Sequence, residues 1–210
     1  MAGPSPTGGL SPSRIETLCD GAFAIAMTLL VLEIKVPEPH AGPGLVHRLA
    51  ELVPKMASFG VSFVILGTLW VGHHYQFHYI RRSDRPLLWI NIGFLLFVSF
   101  LPFATGVVGN FPGERAAVLL YGATLLAAGL FLLAQWTWAT AGRRLVASDL
   151  DPAVVAAVRA RVLAGTGFYA VALAVTLLST RAGLLLFALM PLLYLVPSRI
   201  DRHVRTPSGS

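Results

Sequence analysis

Side chains able to do chemistry sit in this sequence inside runs almost free of charge. His73-His74-x-x-x-His78 contains a spacing that puts two imidazoles on one helical face, as a metal site needs. A membrane-bound metal enzyme of the lipid-desaturase kind is one reading of it. Such an enzyme needs several histidine boxes to hold two irons, and His40, His47 and His203 are scattered with no acidic partners nearby. Asp20 with His73 and His74 offers a second chemistry, proton relay, because histidine titrates near neutral pH. The third possibility is passage of ions. Twelve uncharged residues, Gly21 to Leu32, lie between Asp20 and the pair Glu33 and Lys35. Ionised groups that close to hydrocarbon must be hidden in protein or in a water-filled passage, since lipid offers them no partners. The segment is a candidate pore or packing helix.

The elements that must position these groups are set by composition. Hydrophobic residues make up 55% and charged residues 12% of the chain, about half the charge of a soluble domain. Lys55 to Arg81 encloses 25 uncharged residues, Arg85 to Glu114 28, and Arg115 to Arg143 27. Arg161 to Arg181 encloses 19 and Arg181 to Arg199 17. A crossing helix takes roughly 20 such residues. With the opening segment, the runs predict an all-α, polytopic membrane protein with six transmembrane helices. Close-set strands of alternating polarity are absent, which argues against a barrel.

Six crossings put both termini on one side. Eleven of the sixteen Lys/Arg fall there: Arg14, Arg81, Arg82, Arg85, Arg143, Arg144, Arg159, Arg161, Arg199, Arg202 and Arg205. This positive-inside bias predicts a multi-pass protein of the inner (plasma) membrane with both termini cytoplasmic. It also accounts for the net charge of +6 without nucleic acid, whose recognition would want arginines interleaved with aromatics on one face. The single cysteine, Cys19, excludes an internal disulfide framework. Residues 1–13, rich in Pro, Gly and Ser, read as a disordered tail and not as a cleaved signal. Residues 14–198 form the membrane domain in this reading, and 199–210 a basic cytoplasmic tail.

The first helix is expected from about Ser13 to Val36, stopped by Pro37 and Pro39. A turn-rich linker follows to Gly44, and Leu45 to Pro54 extends the second helix outward. Pro86 suits the first turn of the third helix, and Pro102 should bend or loosen its outer end. The fourth helix spans Arg115 to Thr140. Asp149 to Pro152 caps the fifth, which runs to Ser179, and the sixth covers Ala182 to Val196. No internal duplication is visible, so pore symmetry would require separate copies of the chain. The inverted repeats and broken helices of a secondary transporter are not evident either.

On a helical wheel Ile25, Thr28, Leu29 and Leu32 share about a third of the circumference, joined by Gly21. The stripe either packs on neighbouring helices or faces a shared axis. Around an axis, rings of isoleucine and leucine can close a passage by dewetting, and Thr28 hydroxyls can replace part of an ion's hydration. Arg14 and Asp20, six residues apart, do not share a helix face, so each should meet a group on another helix. His73, His74, His78, Trp89 and Asn91 lie at the same depth as Asp20. They predict a polar cluster bracing the first helix against the second and third.

At these residues the chain resembles a known family. Arg14-x-x-x-Leu18-Cys19-Asp20-Gly-Ala-Phe-Ala-Ile25-Ala-Met-Thr28-Leu-Leu-Val-Leu-Glu33 is similar to the first helix of the transmembrane protein 175 family of potassium channels, in its bacterial branch. The family's signature is Arg-x-x-x-Phe-Ser-Asp. Likeness continues in Leu69-Trp70-Val-Gly-His73-His74-Tyr-Gln-Phe77, in Leu88-Trp89-Ile-Asn91 and in Leu101-Pro102-Phe103, to about Trp138. The resemblance implies a passive potassium-permeable cation channel, a homotetramer of six-helix subunits whose first helices line a central pore without a carbonyl filter. It implies Ile25 as hydrophobic gate, Thr28 as the hydroxyl linked to potassium preference, and Leu29 and Leu32 as further pore-lining residues. His73, His74, Trp89 and Asn91 resemble the family's bracing cluster. Membrane lipids, K+ and other monovalent cations are the implied partners; no resident metal or cofactor is implied. Two departures stand out: Leu18 replaces the motif phenylalanine, losing ring contacts, and Cys19 replaces the motif serine, a stronger hydrogen-bond donor.

Overall fold

The computed structural model describes residues 11–37 and 44–195, with side chains to Pro191. Most of the two tails and of the linker before Gly44, with His40, Arg199, Arg202, His203 and Arg205, lies outside the described residues.

The described chain is helical. α1 spans Ser13–Leu29 and tightens into a 3-10 turn over Leu30–Glu33; Ile34 then turns extended. The short α2, Leu45–Glu51, precedes the long α3, Val53–Tyr79. Leu45 to Pro54 is therefore not an extension of the next helix. Pro54 has no N–H to give to a carbonyl one turn back, and the helix is interrupted at Leu52, with φ of -84° and ψ of -9°. α4 covers Arg85–Asn110 and α5 Arg115–Thr140. α6 covers Pro152–Leu178 and α7 Thr180–Leu195. α1 through its 3-10 turn, α3, α4, α5 and α6 are long and apolar enough to cross a membrane; α7, at 16 residues, is shorter.

Polar groups at the helix ends fix these limits. Asp84 Oδ1 accepts from Leu87 N at 2.9 Å at the start of α4, and the carboxylate also takes the Trp138 indole N–H at 3.1 Å. At α6, Asp151 Oδ1 accepts from Ala153 N at 2.8 Å. α4 runs on through Pro102 without ending there, and Thr105 Oγ1 bonds back to Leu101 O at 2.9 Å. The turn after α5 passes through Gly142 and Arg143, both with positive φ (58° and 56°). It leads into an antiparallel bridge, Ile80 to Val146, supported by Arg81 N donating to Leu145 O at 2.8 Å.

α4, α5, α6 and α7 pack in sequence order, and α1 lies on the other side against α4 and α3. Lipid removes the hydrophobic drive between helices, so close backbone approach and hydrogen bonds hold the layer. At Gly129 of α5 a Cβ would meet Thr166 Oγ1 of α6 at 2.8 Å. Ser62, Thr105 and Tyr121 tie α3, α4 and α5 through hydroxyl bonds of 2.9 and 3.0 Å. Gln76 of α3 donates to Leu132 O of α5 at 3.0 Å.

Candidate pore helix and its polar brace

α1 has two unlike faces. Ile15, Cys19, Phe23, Ala26 and Leu30 recur every three or four residues and are buried against α3 and α4. The opposite side carries Leu18, Ile25, Leu29 and Leu32, with Ile25 61% and Leu32 68% exposed. Thr28 and Gly21 are exposed with them. The Thr28 hydroxyl donates back into its own helix, to Ile25 O at 2.8 Å or Ala24 O at 3.0 Å. With its proton committed there, its lone pairs point away from the backbone and can accept a cation or water. An open groove of about 370 Å³ runs along this side, between Leu18, Gly21, Ile25 and Leu29 of α1 and Ser99 of α4.

The buried face is anchored by a polar knot. Asn91 of α4 accepts at Oδ1 from the Cys19 thiol at 3.4 Å and donates from Nδ2 to the same sulfur at 3.3 Å. His73 Nε2 of α3 lies 3.1 Å from the same Oδ1, so the ring nitrogen that faces Asn91 carries the proton. The imidazole is stacked between Phe77, 4.4 Å away, and Phe94, 5.5 Å away, and Phe94 in turn meets Phe23 of α1. One thiol, one amide and one imidazole thus join three helices around Asn91.

Asp20 is held separately. Its Oδ1 accepts the Trp70 indole N–H of α3 at 2.8 Å, and His74 stacks on that indole at 5.7 Å. The expected cluster is therefore divided in two. Asn91 meets both Cys19 and His73, and His74 reaches Asp20 through Trp70. Trp89, 61% exposed, faces away. Arg14 and His78 are exposed as well. Trp70, part of the family-like run before His73, is not among the residues expected in the brace, yet it holds Asp20. The available signal was its place one turn before His74, which sets ring above ring on one face. His47 is less isolated than expected, since Glu51, one turn on, lies 3.4 Å from it.

Comparisons with known proteins bear on the family of the chain. Residues 14–102 match the family model described as endosomal/lysosomal potassium channel TMEM175. The protein called potassium channel B446_29190, from Streptomyces collinus, is 33% identical over 185 residues, 86% of this chain and 90% of its own length. The chain belongs to the TMEM175 family. Because that alignment takes in 86% of the chain, the kinship runs past Trp138 into α6. The crystal structure titled as a lysosomal potassium-selective channel TMEM175 homolog from Chamaesiphon minutus superimposes with a TM-score of 0.78 at 31% identity, covering 88% of this chain and 96% of that one. The human protein called endosomal/lysosomal proton channel TMEM175 is 32% identical over 157 residues, which cover 69% of this chain and 31% of that protein. TMEM175 proteins are channels and not enzymes, so the histidine-metal reading gives way.

Proposed function

We propose that this TMEM175 chain is a passive, potassium-permeable cation channel built as a homotetramer, with six crossings per subunit and both termini cytoplasmic. Four copies of α1 surround the axis and turn Ile25, Thr28, Leu29 and Leu32 inward. The observation that carries this reading is the one-sidedness of α1: a face fixed by directional bonds, backed by a bare apolar stripe and an open groove. A helix meant only for lipid has no use for an exposed glycine and a hydroxyl on that side.

Within the tetramer, Ile25 and Leu29 narrow the passage to a hydrophobic constriction that closes by losing water. Selectivity is modest, because no carbonyl-lined filter is available. Thr105-Gly-Val-Val-Gly109, the stretch nearest to one in composition, is helical and forms the last turn of α4, where Val107 O accepts from Phe111 N. Sidedness follows from charge: Arg14, Arg81, Arg82, Arg85, Arg143, Arg144, Arg159 and Arg161 fall to one end of the bundle by element order, against Lys35, Arg48, Lys55, Arg115 and Arg181 at the other.

The test is flux from liposomes holding the purified protein under potassium and sodium gradients. Current that follows the gradient without a coupled ion is expected; saturation or dependence on a second ion would instead mean a carrier. Ile25→Asn should raise leak of both ions by about tenfold or more, as a polar ring keeps the constriction wet. Unchanged conductance at equal protein density removes Ile25 as the gate. Proton flux measured in the same vesicles addresses the second reading, favoured by the name that the human relative carries.

A further inference from the structure

We propose that the turn joining α5 to α6 forms a binding site for an anionic phospholipid, with Arg143 and Arg159 holding its headgroup phosphate. A cavity of about 310 Å³ opens there between the end of α5 and the first two turns of α6. Arg143 and Arg159 line it together with Thr140, over an apolar floor of Val146, Leu150 and Val155, and no carboxylate is among its lining residues. Asp149 and Asp151 flank the site in sequence, but Asp151 is occupied in capping α6.

Three features distinguish this place from arginines merely scattered on a membrane surface. The first is backbone geometry. Arg143 keeps a φ of 56° directly after Gly142 at 58°, a left-handed conformation that costs a side-chain-bearing residue energy and is retained where something over-determines it. The second is fixation: the Arg143 guanidinium donates to Ser148 O across the turn and is tethered beside the cavity. Planar guanidinium forks match phosphate oxygens in pairs, and holding one in place lowers the entropy lost on binding. The third is depth. Arg159 lies seven residues into α6, about 10 Å of helix from Pro152. That distance matches the headgroup layer when the turn stands at the membrane surface. Basic pockets between membrane helices at this level take anionic lipid headgroups, with the acyl chains running down the adjoining apolar wall. A lipid held there would strap α5 to α6, on the side of the subunit away from α1.

The experiment uses the whole protein, equilibrated in nanodiscs of phosphatidylglycerol and phosphatidylcholine, extracted in mild detergent and weighed by native mass spectrometry with its retained lipid. Phosphatidylglycerol should be enriched over phosphatidylcholine on the wild-type protein. Arg143→Gln with Arg159→Gln should lower that enrichment by about tenfold. Arg81→Gln with Arg85→Gln removes the same charge at the same end, outside the cavity, and should leave it nearly intact. Because the Arg143 substitution also alters a strained turn, Arg159→Gln alone serves as the second variant and should lose several-fold by itself. Equal loss in both double variants would mean a diffuse surface attraction. No loss in either, or displacement of the lipid by millimolar inorganic phosphate, would likewise overturn the assignment.

Discussion

α1 and α5 solve the same packing problem in opposite ways. α5 is surrounded: half of its apolar span is buried, against 28% for α1. Its contacts come from several sides, with Gly122 beneath Phe187 and Leu173, Gly129 beneath Thr166, and Tyr121 and Trp138 bonded to Ser62 and Asp84. A helix enclosed by neighbours cannot rotate, and close approach at small residues adds to its hydrogen bonds. α1 touches protein on one side only, and apolar packing alone would let it roll about its axis. Cys19 to Asn91 and Asp20 to Trp70 are directional and fix its rotation. A rigidly aimed helix with an empty face is what a pore helix requires, whereas a helix held on several sides is what a scaffold requires.

The sharpest way to break the contrast is Asn91→Leu. It strips the partner from a buried thiol and a buried imidazole at once, and buried polar groups left alone cost about 1–3 kcal/mol each. Assembly and thermal stability in detergent should fall steeply, and surviving protein should conduct with altered selectivity because α1 is free to turn. Gly129→Leu is the reciprocal probe. It forces bulk against Thr166, an overpacking that costs about 1–3 kcal/mol. Stability should drop, yet whatever assembles should keep the wild-type ratio of potassium to sodium flux. A changed ratio in that variant would mean that α5 too governs the pore.

Much of this was legible in the sequence, and what was not concerns chiefly which side chains meet. The uncharged runs between Lys55 and Arg81, Arg85 and Glu114, and Arg115 and Arg143 became α3, α4 and α5, because length and apolarity decide a crossing helix. The 3.6-residue period set Ile25, Thr28, Leu29 and Leu32 on one side of α1, and that side is the exposed one. Partnerships were less visible. Trp89 and Trp70 are both tryptophans at helix positions of similar depth, and only the rotation of α3 and α4 decides that Trp70 meets Asp20 while Trp89 faces outward. Rotation is a property of the packed bundle, and hydropathy carries no information about it. The break at Leu52 has a different reason: an extension over Leu45 to Pro54 would need Pro54 to bond a carbonyl one turn earlier, which it cannot do.

Trp70→Phe separates the two anchors of α1. It keeps the ring that stacks on His74 and removes the one N–H that reaches Asp20. The bond lies at an exposed edge, so the loss should be about 1 kcal/mol, a shift of a few degrees in melting. Asp20→Asn in the Trp70→Phe background should then add nothing further. A second drop of equal size would reveal another partner for the carboxylate.

Cys19→Ser should have the smallest effect, and its sign is informative. The thiol is buried and meets both ends of the Asn91 amide at 3.3 and 3.4 Å, ordinary lengths for sulfur. Oxygen is smaller and a stronger donor and acceptor, so serine gains from bonds near 2.8 Å but must move α1 towards α4 by several tenths of an ångström to reach them. Phe23 against Phe94, 5.8 Å between centroids, resists that movement one turn along. The two tendencies nearly cancel, leaving a change in stability of about 0.5 kcal/mol or less. The displacement itself carries to Ile25 and Leu29 on the opposite face, so a shift in ion selectivity without a shift in melting is the expected signature. A serine variant markedly more stable than wild type would mean that α1 moves freely on α4 and that the aromatic contact does not hold it.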